Sequence, residues 1–414
     1  MTEDVKSKLP FLTAELGSVE GVIKQRPQDF VVEEIPLYQP SGEGTHIYAQ
    51  IEKTQLTTHD AVARIAAAMG VRRVDVGYAG RKDAQAVARQ WISIEHIDPD
   101  KLASLDKPQL KVLKIARHGN KLKVGHLSGN KFIVRMRNLS MPAKQAEKTA
   151  QAIMDTLIHR GVPNYFGPQR FGGRGNSSQL GWTLIENNAQ EFCRLFLGDP
   201  ANETDKRFIE ARTLYERGEY QQALDCWPRS FHDHRRMLTG LVKSNGNFKR
   251  ASRDLDDSFK GLLVSAWQSE IFNEVLAARM PDIDKVLTGD MAMKHDNGAC
   301  FHVENVETEQ PRCERFEISP TGPLYGLRMT RLTDTAGEIE NPILDRRNLT
   351  EDHLRRIKNF GARGGRRALR FLPKDVSIHG GTDAYGDFLE LAFTLDSGCY
   401  ATTLLREIAK SDIT

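Results

Sequence analysis

The chain is 414 residues long, with 39% hydrophobic and 27% charged side chains, which suits two or more folded domains with buried cores. No run of 18 apolar residues occurs, so no membrane span is expected. Met1–Leu12 (MTEDVKSKLPFL) lacks the basic start, apolar block and cleavage site of a signal peptide, so a cytoplasmic protein is expected. The net charge is only +3, so basic clusters matter more than the sum. The five cysteines (Cys193, Cys226, Cys300, Cys313 and Cys399) show no zinc or redox spacing, which predicts reduced thiols and no structural metal.

In chain order, Asp29–Ile35 alternates as a strand and is followed by the SGEGT turn and a second strand, His46–Ile51. Leu56–Gly70 reads as a helix: Thr57 and Asp60 have capping-box spacing, Val62, Ile65 and Met69 share a face, and Gly70 stops it. Val76–Ile94 comes next. Gln109–Arg137 then shows period-two patterning with Gly119-Asn120 and Gly129-Asn130 as turns, which predicts an antiparallel meander. A helix with Pro142 in its first turn runs to Arg160 and stops at Gly161. Asn187–Lys260 is charged and helical, and Leu262–Met280 is a further helix with Trp267, Ile271 and Leu276 as core. Gly289–Pro320 is rich in strands and turns, and Thr321–Gly326 reads as a tight turn. Phe388–Leu395 alternates as a strand, and Leu395–Ile408 is a glycine turn followed by a helix. The fold class is α+β with an antiparallel or mixed central sheet.

Two stretches carry chemistry. In VGYAGRKDAQAVARQWISI (76–94), Gly77 and Gly80 bracket a turn, Arg81-Lys82-Asp83 follows, and the chain enters a strand. A carboxylate presented on such a turn with cations beside it suits a nucleophile; the plainer reading is a surface ion pair. In GVPNYFGPQRFGGRG (161–175), five glycines, two prolines and three aromatics in 15 residues describe a rigid loop presenting rings and a guanidinium. Such a loop can stack an unpaired base and hold its phosphate, or can simply plug the edge of a core.

GYAGRKDAQAVARQW resembles the signature of the TruD family of tRNA pseudouridine synthases, approximately AG-x-KD-x-x-A-x-T-x-Q, with Ala88 where Thr is usual. That departure is expected to loosen the hydrogen bonding of the turn. Asn164–Gly172 resembles the family's NYFG-x-QRFG at all eight fixed positions. Leu395–Glu407 resembles its closing motif, with Tyr400 at the aromatic position and Asp396, Ser397 and Cys399 departing from it. The likeness covers about 21–179 and 364–407 well and the middle weakly. It implies a pseudouridine-synthase catalytic domain interrupted by an inserted α+β (TRUD-type) domain, divided at 1–185, 186–365 and 366–414.

The resemblance implies isomerisation of uridine at tRNA position 13, with no cofactor and no metal. Asp83 takes the nucleophile's place, acting at C1′ or on the 2′ proton. Lys24 takes its cationic partner's place, with Lys82 as the local competitor. Phe30, Asn164, Phe166 and Tyr400 match substrate-contacting positions, Phe166 beneath the turning uracil. Arg81, Lys82, Arg170, Arg366 and Arg367 are candidates for RNA phosphates. The partner is tRNA and the expected state a monomer. The second reading is a tRNA-binding protein or RNA chaperone on the same scaffold. A deaminase is disfavoured by the missing zinc-ligand spacing.

Overall fold

The computed structural model describes residues 9–412, so most of the Met1–Leu12 stretch read for a leader lies outside the described range. No helix among the described residues is long and apolar enough to cross a membrane. The chain forms two compact units: one from residues 11–162 and 371–414, the other centred on 163–370.

The first unit begins with β1 (Phe30–Pro36), β2 (His46–Thr54), α1 (Thr58–Met69), β3 (Val87–Glu95), β4 (Leu110–His118), β5 (Leu127–Arg137) and α2 (Ala143–Arg160). Helix α1 starts and stops where its chemistry dictates. The Thr57 hydroxyl accepts from the Asp60 amide, and Gly70 ends it in the left-handed region at φ 72°. Pro142 is the N-cap of α2 rather than a residue inside it, and Gly161 follows its last turn.

The second unit contains a helical run, α3 (Ser177–Glu186), α4 (Ala189–Leu197), α5 (Lys206–Glu216), α6 (Tyr220–Cys226), α7 (His232–Lys243) and α8 (Phe248–Arg253). The long helix α9 (Asp257–Ala278) follows, then β6 (Met291–Lys294), β7 (Cys300–His302), α10 (Val306–Glu314), β8 (Ile318–Leu324), α11 (Asp334–Asp345), α12 (Glu351–Asn359) and β9 (Gly365–Ala368). Trp267, Ile271 and Leu276 on α9 are buried, as their apolar character predicts. The sheet runs β7–β6–β8–β9, antiparallel throughout. Thr321–Leu324 is therefore strand rather than tight turn, because it pairs residue for residue with Gly365–Ala368.

The chain returns to the first unit with β10 (Lys374–Asp383), β11 (Gly386–Asp396) and α13 (Ala401–Ala409). These complete a nine-stranded sheet whose path is β10–β11–β5–β1–β3–β2–β4, with two short strands at its margins. The β1–β3 pair is parallel and the other pairs antiparallel, so the sheet is mixed. The expected 109–137 meander does not form: β4 pairs with β2, and β5 with β1 and β11. Gly129-Asn130 lies inside β5 instead of turning. A Cβ on Gly129 would sit 2.3 Å from the Leu395 carbonyl oxygen, so close strand approach explains that glycine.

The crossings between units fall at 162/163 and 370/371, whereas the sequence suggested 185/186 and 365/366. Helix α3 packs on α9, and β9 pairs with β8, which carries both the 163–186 segment and Arg366-Arg367 into the second unit.

Candidate active site

Asp83 sits on the connection between Gly77–Tyr78 and β3, with its side chain 45% exposed. Gly77 is required by crowding, since a Cβ there would lie 2.3 Å from the Leu122 carbonyl oxygen. The turn is anchored from below. The Lys82 amide donates to the Thr58 hydroxyl, the hydroxyl donates to Gln90 Oε1, and Gln90 Nε2 reaches the Gly80 carbonyl at 3.4 Å. Ala88, fully buried in β3, offers no hydroxyl, and the turn is anchored by Thr58 and Gln90 instead.

Lys24 Nζ donates to Asp83 Oδ2 at 3.0 Å with only 7% of its side chain exposed. Its backbone adopts φ 56°, a left-handed conformation costing a non-glycine residue ~1 kcal/mol or more. Reciprocal hydrogen bonds between Val22 and Arg137 hold the preceding residues in place. The same ammonium lies 4.7 Å from the centre of the Phe30 ring, itself buried against Phe132. The first unit thus brings together Lys24, Phe30 and Asp83. Tyr400 is the N-cap of α13, 39% exposed, with its carbonyl accepting from the Thr403 hydroxyl.

Lys53 was not legible in the sequence, because a lysine in an alternating strand reads as a solvated one. It is fully buried, and its Nζ donates to the carbonyls of Leu56 at 2.6 Å, Asp83 at 2.7 Å and Lys82 at 3.3 Å. Three carbonyl acceptors suit a protonated ammonium, while a neutral amine offers only two donors. Burial pushes its pKa down to about 8, against an upward pull from Asp83. Raising the pH through about 8 therefore removes one bond from the turn that carries Asp83. Reaction rate is expected to fall across that range, and Lys53→Met to be slower at neutral pH by up to ~100-fold without this alkaline limb. Rate measured against pH for both proteins checks this; an identical limb in the variant would exclude Lys53 as its origin.

The second unit assembles another group. Asn164 Nδ2 donates to the Ala368 carbonyl, and its Oδ1 accepts from Arg367. The Phe166 backbone exchanges two 2.9 Å hydrogen bonds with the Asn273 side chain, and its ring meets Phe272 edge-on. The Arg367 guanidinium lies 4.4 Å from the centre of that ring and the Arg170 guanidinium 5.5 Å away. Arg170 also donates to the hydroxyls of Ser265 and Ser269. Asn164 and Phe166 are both buried, while Arg170 and Arg367 are partly buried, so the two arginines are the members of this group with some surface to offer.

Two phosphate candidates are corrected. Lys82 is 5% exposed and pairs at 2.6 Å with Glu34, which is 1% exposed and also accepts from the Trp91 amide. Arg366 is 3% exposed and bidentate to Glu340, with further bonds to Thr321. Drawing either cation to a phosphate would strand a buried carboxylate, which costs ~3–5 kcal/mol. Arg81 is exposed.

A buried ion-pair network closes the first unit. Arg137 donates to both carboxylate oxygens of Asp29 and, bidentately, to Asp383. Its pKa is pushed up by Asp383 first and Asp29 second, and Asp383 is drawn down to about 2 by the same guanidinium.

The TruD family model (tRNA pseudouridine synthase D) matches residues 8–408, the middle of the chain included. The chain belongs to the TruD family. Among its relatives, the tRNA pseudouridine synthase D of Geobacter sp. (strain M21) is 42% identical, covering 97% of this chain and 99% of that one. That of Geotalea daltonii is 40% identical, covering 97% and 100%. A solved TruD structure from Methanosarcina mazei shares the fold at a TM-score of 0.83 and 24% identity, covering 97% of this chain and 96% of the other.

Proposed function

We propose that this TruD-family protein is an isomerase that converts uridine to pseudouridine in tRNA, at position 13, with Asp83 acting on the sugar. The observation that carries the assignment is the Lys24–Asp83 pair: an accessible carboxylate on an anchored turn, held by an almost fully buried ammonium. The reaction breaks the C1′–N1 bond, turns the uracil and joins C5 to C1′, so atoms and electrons balance within the nucleotide. Asp83 either attacks C1′ or removes the 2′ proton. Lys24 orients the carboxylate and offsets charge as the glycosidic bond breaks, and Lys53 positions the turn through its carbonyls. Phe30 is the apolar wall beside the pair, and Tyr400 a further substrate contact.

Asn164 and Phe166 act through Arg367: one accepts from its guanidinium and the other lies under it, so that Arg367 meets the base or its phosphate. Arg170 and Arg81 serve the phosphate backbone. The unit 11–162 with 371–414 is the catalytic domain, and 163–370 the insertion. The protein acts in the cytoplasm as a monomer, without cofactor or metal. The binding-protein reading is not favoured, since the matched relatives are synthases across their whole length.

Isomerisation exchanges the C5–H bond of uracil for C5–C1′. Unmodified tRNA transcript carrying tritium at uracil C5 should therefore lose one tritium per tRNA, and mapping should place one pseudouridine at position 13. Tight tRNA binding with no tritium release from any transcript would favour the chaperone reading; release with pseudouridine elsewhere would overturn the position.

A further inference from the structure

Residues 229–253, covering α7 and α8, hold seven lysines and arginines against one carboxylate, Asp233. This stretch is net +6 in a chain of net +3, so the other 389 residues carry −3 between them. The two helices meet where Gly240 faces Ala251. Along α7, Arg236 and Lys243 lie seven residues apart on one exposed face; on α8, Lys249, Arg250 and Arg253 are all exposed.

A run of charge is usually just a solvated face. The neighbouring helices show what such a face looks like here: Arg194 pairs with Glu191 and Arg207 with Asp205. By contrast, Lys243, Lys249, Arg250 and Arg253 make no ion pair with a carboxylate among the described residues. Arg236 approaches Asp233 only at 3.9 Å and donates to the Asp254 carbonyl. Asp254 lies beside this face near Gly240, and Asp256 is close enough to Arg236 to feel its charge. Five exposed cations on two packed helices, three of them within five residues, match the repeating anions of a nucleic-acid backbone.

We propose that the α7–α8 face is a docking surface for the phosphate backbone of the tRNA, contributing affinity through residues that take no part in the chemistry. This rests on tRNA being the substrate. Phosphate contacts of this kind position an RNA without reading its bases, and each neutralised phosphate steepens the salt dependence of binding. The face therefore acts on KM and leaves kcat alone.

The test uses the full chain with Lys249→Gln, Arg250→Gln and Arg253→Gln combined, beside a charge-conserving control of Lys249→Arg, Arg250→Lys and Arg253→Lys. Binding of unmodified tRNA transcript is measured against salt, and pseudouridine formation against tRNA concentration. The neutral variant should show Kd and KM raised about tenfold or more at low salt, a salt slope shallower by roughly 2 to 3, and unchanged kcat; the control should match the wild type. All three substituted side chains are solvent-facing, and a wild-type unfolding midpoint confirms the fold. If the wild type forms pseudouridine and the neutral variant keeps its Kd and slope, the docking surface is refuted while the proposed activity stands. If kcat falls with Kd unchanged, the surface is likewise refuted. If the wild type neither binds nor converts tRNA, the functional reading fails and takes the docking surface with it.

Discussion

Asp83→Asn is expected to lower the single-turnover rate of pseudouridine formation by about 10,000-fold or more, the scale seen when a catalytic nucleophile is removed. Binding of tRNA should change less than about threefold, because the substitution conserves shape and Asp83 is one polar group in an extended interface. The fold should hold as well. The Asp83 side chain is nearly half exposed, and the turn beneath it is fastened by the backbone of Lys82 and Asp83 to Thr58 and Lys53, bonds that asparagine leaves intact. Loss of rate with binding and unfolding midpoint preserved assigns the carboxylate to the chemistry. Conversion at more than about a tenth of the wild-type rate would mean that another carboxylate does this work.

The second large effect is on stability in acid. His234 on α7 stacks against Phe196 at 4.0 Å and Trp227 at 4.9 Å, in the core shared by α4 to α8. Burial pushes its pKa from 6.5 down to about 3, with Arg212 adding to the effect. The sign follows from linkage. Above about 6.5 both folded and unfolded chains hold a neutral imidazole; below it the unfolded chain takes up a proton that the folded one refuses. The stability held at neutral pH is therefore lost as pH falls from about 6.5 toward 3, at ~1 kcal/mol per pH unit. His234→Phe keeps the stacking and removes the proton site. Urea midpoints at several pH values should show the wild type losing more stability than the variant over that range. Parallel pH dependence in the two proteins would mean that His234 is not the source of acid sensitivity.

How much was readable in the sequence depended on how local the cause was. The Asp83 turn, the 164–172 loop and helix α1 announced themselves because cap, glycine and charge lie within a few residues of one another. Lys82 and Arg366 were misread because what decides their role is a distant carboxylate, 48 residues away at Glu34 and 26 away at Glu340. Exposed and buried cations look alike until the partner element, a strand for Glu34 and a helix for Glu340, is in place. Gly129-Asn130 carries a turn's composition, yet the crowding that demands the glycine comes from Leu395, at the far end of the chain. The Phe166 ring was assigned to the substrate on resemblance, and its neighbours Arg367 and Phe272, which cover it, lie 201 and 106 residues further on. Lys53 was missed for the same reason: its importance lies in the carbonyls it meets rather than in its strand.

The claim on which the chemistry turns is that Lys24 and Asp83 work as one unit. A double-mutant cycle in single-turnover rate tests it, using Lys24→Met, Asp83→Asn and the two combined on unmodified tRNA transcript. Groups acting as a unit are strongly non-additive, so the double variant should be no slower than Asp83→Asn alone. Losses that multiply, or a Lys24→Met enzyme as fast as the wild type, would show that the 3.0 Å pair is a structural contact and not the centre of the reaction.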